Sequence, residues 1–289
     1  MSDHIAGTLV KTLIRRAERG DAASTGVWDR PDSLAWAAVG LGVHGAAPDL
    51  VAELKNALME RQRQDGAIPL ESYTPEAWWP TSMAMLAWRL DPVFVNQRKL
   101  ATEFLLHNRG AIVQQPEEVG HDTTIHGWPW IGHTHSWVEP TALTLMALFA
   151  EGLRDHPVVR EGVAVLKNRM LPDGGWNYGN TMVYGAQLLP MPECTGIALC
   201  AMRNELSEDE VQSSLAYLEK EYRHLRTPLS LSWGIMGLTA WGRRPGDAEH
   251  KVMESLTLQD RYGLYETALI GLLATSLSDF PFEIGGDAQ

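Results

Sequence analysis

The densest concentration of chemically capable side chains is one stretch, Gly120 to Glu139, which reads GHDTTIHGWPWIGHTHSWVE. It carries His121, Asp122, His126, His133, His135 and Glu139, with Trp128, Trp130 and Trp137 between them. Imidazoles and carboxylates bind borderline divalent metals and also move protons near neutral pH. A divalent metal on His126, His133 and His135 is one expectation. The spacing matches no recognised ligand signature, and the other expectation is an ordered loop in which the histidines pack and hydrogen-bond. His121, Asp122 and Glu139 are candidates for acid-base catalysis. A solvent loop has no need of so many indoles and imidazoles, so the stretch reads as a lid or wall of a cavity.

The elements that must hold this loop come from hydrophobic periodicity. Six segments are apolar on nearly all sides: PDSLAWAAVGL from Pro31, WPTSMAMLAW from Trp79, EPTALTLMALF from Glu139, ECTGIALCAM from Glu193, SLSWGIMGLTAW from Ser230 and YETALIGLLA from Tyr265. Such helices must be covered all round and belong in an inner layer. Between them run amphipathic segments at 4–19, 48–63, 96–108, 157–170, 207–222 and 247–257, suited to an outer layer. Strict alternation with short connections predicts an all-α fold, an α6/α6 barrel of six helical hairpins forming one domain over residues 1–289. A strand signal is confined to Ala111–Val113.

Equivalent positions in a closed repeat face one axis. The carboxylates at the apolar-helix entrances, Glu139, Glu193 and Glu266, joined by Asp32, should therefore converge at one end of the cavity. Acids there could simply complement helix dipoles. Pressed together in a partly apolar cavity, they would instead have raised pKa values and could protonate or deprotonate a substrate. Trp28, Trp78, Trp79, Trp128, Trp130, Trp137, Trp176, Tyr178, Trp233 and Tyr265 lie in the connecting turns or near these entrances. Faces turned inward would shape an apolar cavity and stabilise a carbocation by cation-π attraction. Of these, Trp79, Trp128, Trp130, Trp137, Trp176, Tyr178, Trp233 and Tyr265 are the candidate substrate-binding residues.

Several apolar helices share an entrance, Pro80-Thr81, Pro140-Thr141, Cys194-Thr195 and Glu266-Thr267. Ahead of them sit Gly and aromatic turns: Gly26-Val27-Trp28, Gly127-Trp128, Gly174-Gly175-Trp176 and Gln259 to Tyr265, with Gln64-Asp65-Gly66 after the second amphipathic helix. These elements resemble a degenerate Gln...Gly-x-Trp repeat, the mark of the superfamily of squalene-hopene cyclases, oxidosqualene cyclases and prenyltransferase β-subunits. The resemblance covers essentially the whole chain and rests on the number and position of the repeats. It implies an α-α toroid around a cavity for an isoprenoid. Two family motifs are missing. The Asp-x-Asp-Asp acid of the class II cyclases does not occur, and the chain has room for one toroid where those enzymes normally carry two. Aligned on the shared threonines, the zinc ligands of the protein prenyltransferases fall on Glu193, Thr195 and Glu266, so their thiolate site is not reproduced.

With 24 Lys+Arg against 36 Asp+Glu and no basic block, the chain is a poor partner for nucleic acid or polyanions. The first helix sets Lys11, Arg15, Arg16 and Arg19 beside Leu9, Val10, Leu13 and Ile14, which leaves peripheral membrane contact open beside a solvated helix. A protein partner is not defined. The N-terminus has no uninterrupted apolar stretch of the signal-peptide kind, and Cys194 and Cys200, six apart on one helix, are not placed to pair, so a cytoplasmic protein is expected. The leading functional expectation is a terpenoid cyclase-like enzyme binding a hydrophobic small molecule. The alternatives are a carbohydrate-active α6/α6 hydrolase or lyase and a noncatalytic toroid for a lipid or partner.

Overall fold

A computed structural model describes residues 2–19, 28, 30–112, 114 and 119–282, apart from the side chains of residues 2–4. Gly26 and Val27 of the first turn, and Val113 of the expected strand, lie outside the described residues; Ala111 and Ile112 are not in a strand. The described chain is all-α. Its amphipathic helices are α1 (Ser2–Arg19), α3 (Pro48–Glu60), α5 (Val95–His107), α7 (Pro157–Arg169), α9 (Glu208–Tyr222) and α11 (Ala248–Thr257). They alternate with the apolar helices α2 (Pro31–Gly42), α4 (Pro80–Trp88), α6 (Val138–Ala150), α8 (Pro192–Met202), α10 (Pro228–Ala240) and α13 (Thr267–Ser276). A single turn, α12 (Gln259–Tyr262), precedes α13. No described helix is long and apolar enough to cross a membrane.

The apolar helices touch in sequence order: α2 packs on α4, α4 on α6, α6 on α8, α8 on α10, α10 on α13, and α13 returns to α2. Helices apolar on all sides can only be stable when covered on all sides, and α6 and α8 are buried along almost their whole length. The amphipathic helices bury one stripe each, such as Leu54, Ala57 and Leu58 of α3 or Val211, Leu215 and Leu218 of α9. Prolines in the first turn start α2, α4, α8 and α10, where the missing N–H is no loss.

The shared threonine has a definite task. Thr81, Thr141 and Thr195 are fully buried, and their hydroxyl oxygens accept the backbone N–H of Ile68, Trp128 and Trp176 at 2.9, 3.0 and 3.0 Å. Each ties the turn before an apolar helix to the helix itself. The turn tryptophans complete the joint from the other side. Trp28, Trp128 and Trp176 donate their indole N–H to the carbonyls of Ala17, Leu105 and Leu166, near the C-terminal ends of α1, α5 and α7. Carbonyls in the last turn of a helix have no partner within it, so the aromatic of the repeat is a helix cap as well as core. Thr141→Val keeps the shape and strands the buried Trp128 N–H, and should cost about 1–3 kcal/mol in a denaturant titration. A loss near zero would show that the hydroxyl bond is dispensable.

One extended feature departs from the expected pattern. Met182–Val183 and Ala186–Gln187 form a two-stranded hairpin before α8. Tyr184 and Gly185 take positive φ of 50° and 75° at its turn, as two-residue hairpin turns require.

Candidate acid site at the helix entrances

Three of the four entrance carboxylates converge. Asp32, Glu139 and Glu266 line one cavity of about 170 Å³, walled otherwise by Trp36, Trp79, Met83, Trp130, Leu229, Trp233, Ala268, Leu269 and Leu272. Glu193 is close enough that its charge acts on Glu139. Trp36 of α2 stands in this wall edge-on to Trp233 at 5.7 Å and to Phe282 at 6.3 Å. The pocket is lined from the N-terminal halves of the apolar helices. Its volume is below the usual range of roughly 300–1,000 Å³ for sites that enclose drug-sized ligands.

The four acids stand in different surroundings, and that decides their chemistry. Asp32 is gripped by Arg30 through two hydrogen bonds of 3.0 and 2.8 Å. Glu266 lies 3.8 Å from the same guanidinium with 54% of its side chain exposed. Both charges are neutralised or solvated. Glu193, buried on α8, accepts the hydroxyls of Tyr178 at 2.6 Å and Ser230 at 2.8 Å, with no cation in contact among the described residues. That bond to Glu193, and then burial, raise the pKa of Tyr178, so its proton stays on the phenol.

Glu139 is the exception. Its carboxyl makes no hydrogen bond or ion pair among the described residues, and it faces the indole-lined cavity from the first turn of α6. Burial first, and the charge of Glu193 second, push its pKa from 4.5 to about 7. Both effects disfavour a second negative charge in a poorly solvated place. A carboxylic acid titrating there can give a proton at neutral pH and take one back, as a general acid must.

Of the aromatic candidates, Trp79, Trp130 and Trp233 wall the cavity, with Trp79 and Trp130 edge to face at 5.3 Å. Trp128 and Trp176 do not. Both are fully buried helix caps, because their indole N–H groups are spent on backbone carbonyls. Trp137 packs against the His135 ring at 4.5 Å, and Tyr265 donates its hydroxyl to the Ser255 carbonyl, so neither lines the pocket. Tyr178 acts only through Glu193. Sequence reasoning does not single out Trp36, Met83 or Ser230. Trp36 and Met83 lie inside uniformly apolar helices, where nothing in the sequence tells which residue faces the axis.

The His-rich loop is dispersed. No group of three His, Cys, Asp or Glu side chains among the described residues is arranged to hold a metal ion. His126 bonds through Nδ1 to the Gly110 carbonyl at 2.7 Å, His133 lines a groove with Arg63, Asp65 and His107, and His135 stacks on Trp137. The metal expectation on His126, His133 and His135 is corrected accordingly: the turns of the loop point the rings to three different places. His121 and Asp122 are also separate from the acid cavity. Asp122 accepts the N–H and hydroxyl of Thr124 on its Oδ1, at 2.8 and 2.6 Å, while His121 is buried beside Thr181. Cys194 and Cys200 are free and buried, and burial raises both thiol pKa values well out of the reactive range. The chain matches no family model, and no curated protein matches its sequence.

Proposed function

We propose that this protein is an α-α toroid of the terpenoid cyclase type and an acid-base enzyme that protonates a small, apolar, unsaturated substrate, with Glu139 as the proton donor. The ring is supported by the unbroken circuit of contacts from α2 through α13 and back to α2. The chemistry rests on one observation: a carboxyl of raised pKa, without a partner among the described residues, in a wall of indoles. Proton transfer from Glu139 to an alkene carbon makes a C–H bond and leaves a carbocation on the neighbouring carbon. The faces of Trp79, Trp130 or Trp233 can stabilise that charge. Loss of a proton from an adjacent carbon back to Glu139 then gives an isomerised or cyclised alkene and restores the acid. Glu193, fixed by Tyr178 and Ser230, is a positioning residue that keeps Glu139 protonated.

A cavity of about 170 Å³ sets the scale of the reacting part. Apolar cavities of similar size accept a benzene-sized molecule, so one isoprene unit fits. Apart from the three acids, the lining between the tryptophans is Met, Leu and Ala, which leaves most hydroxyls of a sugar without partners. The test is conversion of a panel of short isoprenoid alkenes and prenyl diphosphates, with oligosaccharides alongside, by the native protein and by Glu139→Gln. Turnover of an isoprenoid that disappears in the variant supports the reading. Binding of oligosaccharides alone would move the function to the carbohydrate-active class.

A further inference from the structure

We propose that a second cavity, walled by His121, His135, Ser136, Arg169 and Asn180, binds a small carboxylate. This site is independent of the chemistry at Glu139. The cavity has a volume of about 160 Å³ and is otherwise lined by Ala111, Val119, Thr123 and Ile125. Arg169, the last residue of α7, is 4% exposed, yet no carboxylate reaches it within ion-pair distance among the described residues. Its Nη1 is used inside the protein, on the Asp122 carbonyl at 2.9 Å and on the Asn168 side chain. Its Nε has no hydrogen-bond partner among the described residues. Asp122, whose charge acts on Arg169, has its Oδ1 committed to the N–H and hydroxyl of Thr124 and makes no ion pair with the guanidinium.

A buried guanidinium without a counter-ion costs a protein several kcal/mol, so a fold rarely keeps one without a use. The cost is visible here, because burial pushes the Arg169 pKa down to about 10. The unengaged edge of a guanidinium is the fork that takes a carboxylate in two parallel hydrogen bonds. His121 supplies a further donor. Its Nδ1 accepts from the Thr181 N–H at 3.4 Å, which leaves the ring proton on Nε2. Burial, then the charges of Arg169 and His135, hold His121 neutral with a pKa of about 4, and His135 is lowered by burial and Arg169 as well. An anion seated among these groups would reverse that field. The small apolar wall admits the methyl or ring of the acid, so acetate, propionate and benzoate are suitable probes.

The experiment follows the His121 ring by nuclear magnetic resonance through a pH titration, with and without acetate or benzoate, alongside calorimetric binding to the whole chain. Saturable binding is expected, with the His121 pKa rising by at least one unit in the bound form. Arg169→Met should weaken binding tenfold or more, as expected for loss of a charge-assisted fork. If that variant does not fold, Asn180→Leu, which puts an apolar side chain in the cavity wall and leaves Arg169 in place, should also weaken binding tenfold or more. No binding of any probe, or binding that both variants leave unchanged, would overturn the proposal. Binding of inorganic phosphate in preference to the carboxylates would overturn its assignment of ligand class.

Discussion

Glu139→Gln is expected to make the protein more stable than the native chain at pH 8, by on the order of 3 kcal/mol, while removing the turnover proposed for it. The sign follows from the direction of the shift. Glu139 titrates near 4.5 when the chain is unfolded and near 7 when folded, because burial and the charge of Glu193 oppose ionisation. The folded state therefore holds the proton more tightly than the unfolded state, and the stability this contributes is complete below pH 4.5. It is lost as pH rises from 4.5 through 7 and is absent above that. At about 1.4 kcal/mol per unit of pKa, the interval converts to the figure given. Glutamine is neutral at every pH and escapes the loss. The difference between variant and native should hence vanish near pH 4 and grow to its full value by pH 8, in urea titrations run at both. Catalysis should move the other way. The amide keeps the shape of the acid but cannot deliver a proton, and loss of a general acid is worth about a hundred-fold to ten-thousand-fold in rate. A stability difference flat with pH would mean that Glu139 is solvated and ionised like any surface acid. Glu266→Gln is the control. With more than half its side chain exposed and only a 3.8 Å contact to Arg30, it should change stability by less than about 0.5 kcal/mol at either pH.

Why the acids could be read from the sequence while most aromatics could not is a matter of geometry. An acid at the start of an apolar helix is placed by the repeat itself, since equivalent helix entrances lie at one end of the layer, and Asp32, Glu139 and Glu266 do meet there. Their differences are not carried by the shared entrance: Arg30, two residues ahead, pairs with Asp32, while Glu193, which acts on Glu139, is held by Tyr178 and Ser230 from other turns. The alternation of apolar and amphipathic helices is plain in the spacing, and the helices begin within a few residues of the expected places. A tryptophan in a turn is ambiguous by comparison. Trp128 and Trp130 are two residues apart, yet one caps α5 and the other walls the cavity. Only the direction of each side chain separates those roles, and direction is set by the packing of distant helices. The same limit applies to the histidines. Local density suggests a common ligand, but the loop has turns enough to send His126, His133 and His135 apart. Arg169 gives no signal, being one basic residue in the last turn of a helix, where a cation is ordinary.

Gly271→Ala and Gly196→Ala should each destabilise the protein by about 3 kcal/mol or more, beyond the roughly 1–3 kcal/mol typical of an overpacked side chain. These glycines sit where apolar helices pass closest. A Cβ on Gly271 would lie 2.4 Å from the backbone carbonyl of Trp36, and one on Gly196 would lie 2.2 Å from that of Trp233. Gly40 and Gly237 face them from the partner helices, so α13 meets α2, and α8 meets α10, nearly backbone to backbone. An obstacle made of backbone cannot rotate away as a side chain does, and the helices themselves must separate. Separation loosens the interdigitated side chains along the whole length of the helix pair, which is why the cost exceeds that of local overpacking. The consequence reaches the acid cavity, because Gly271 abuts Trp36 and Gly196 abuts Trp233, and both tryptophans line that cavity. A destabilised but folded Gly271→Ala should therefore also lose affinity for any apolar ligand of that cavity. Gly7→Ala in α1, where an added Cβ meets nothing within 4 Å, is the matched control and should gain slightly from its better helix propensity. If Gly271→Ala behaved like Gly7→Ala in thermal unfolding, the first and last apolar helices would not be in contact, and the circuit that joins α13 to α2 would be open.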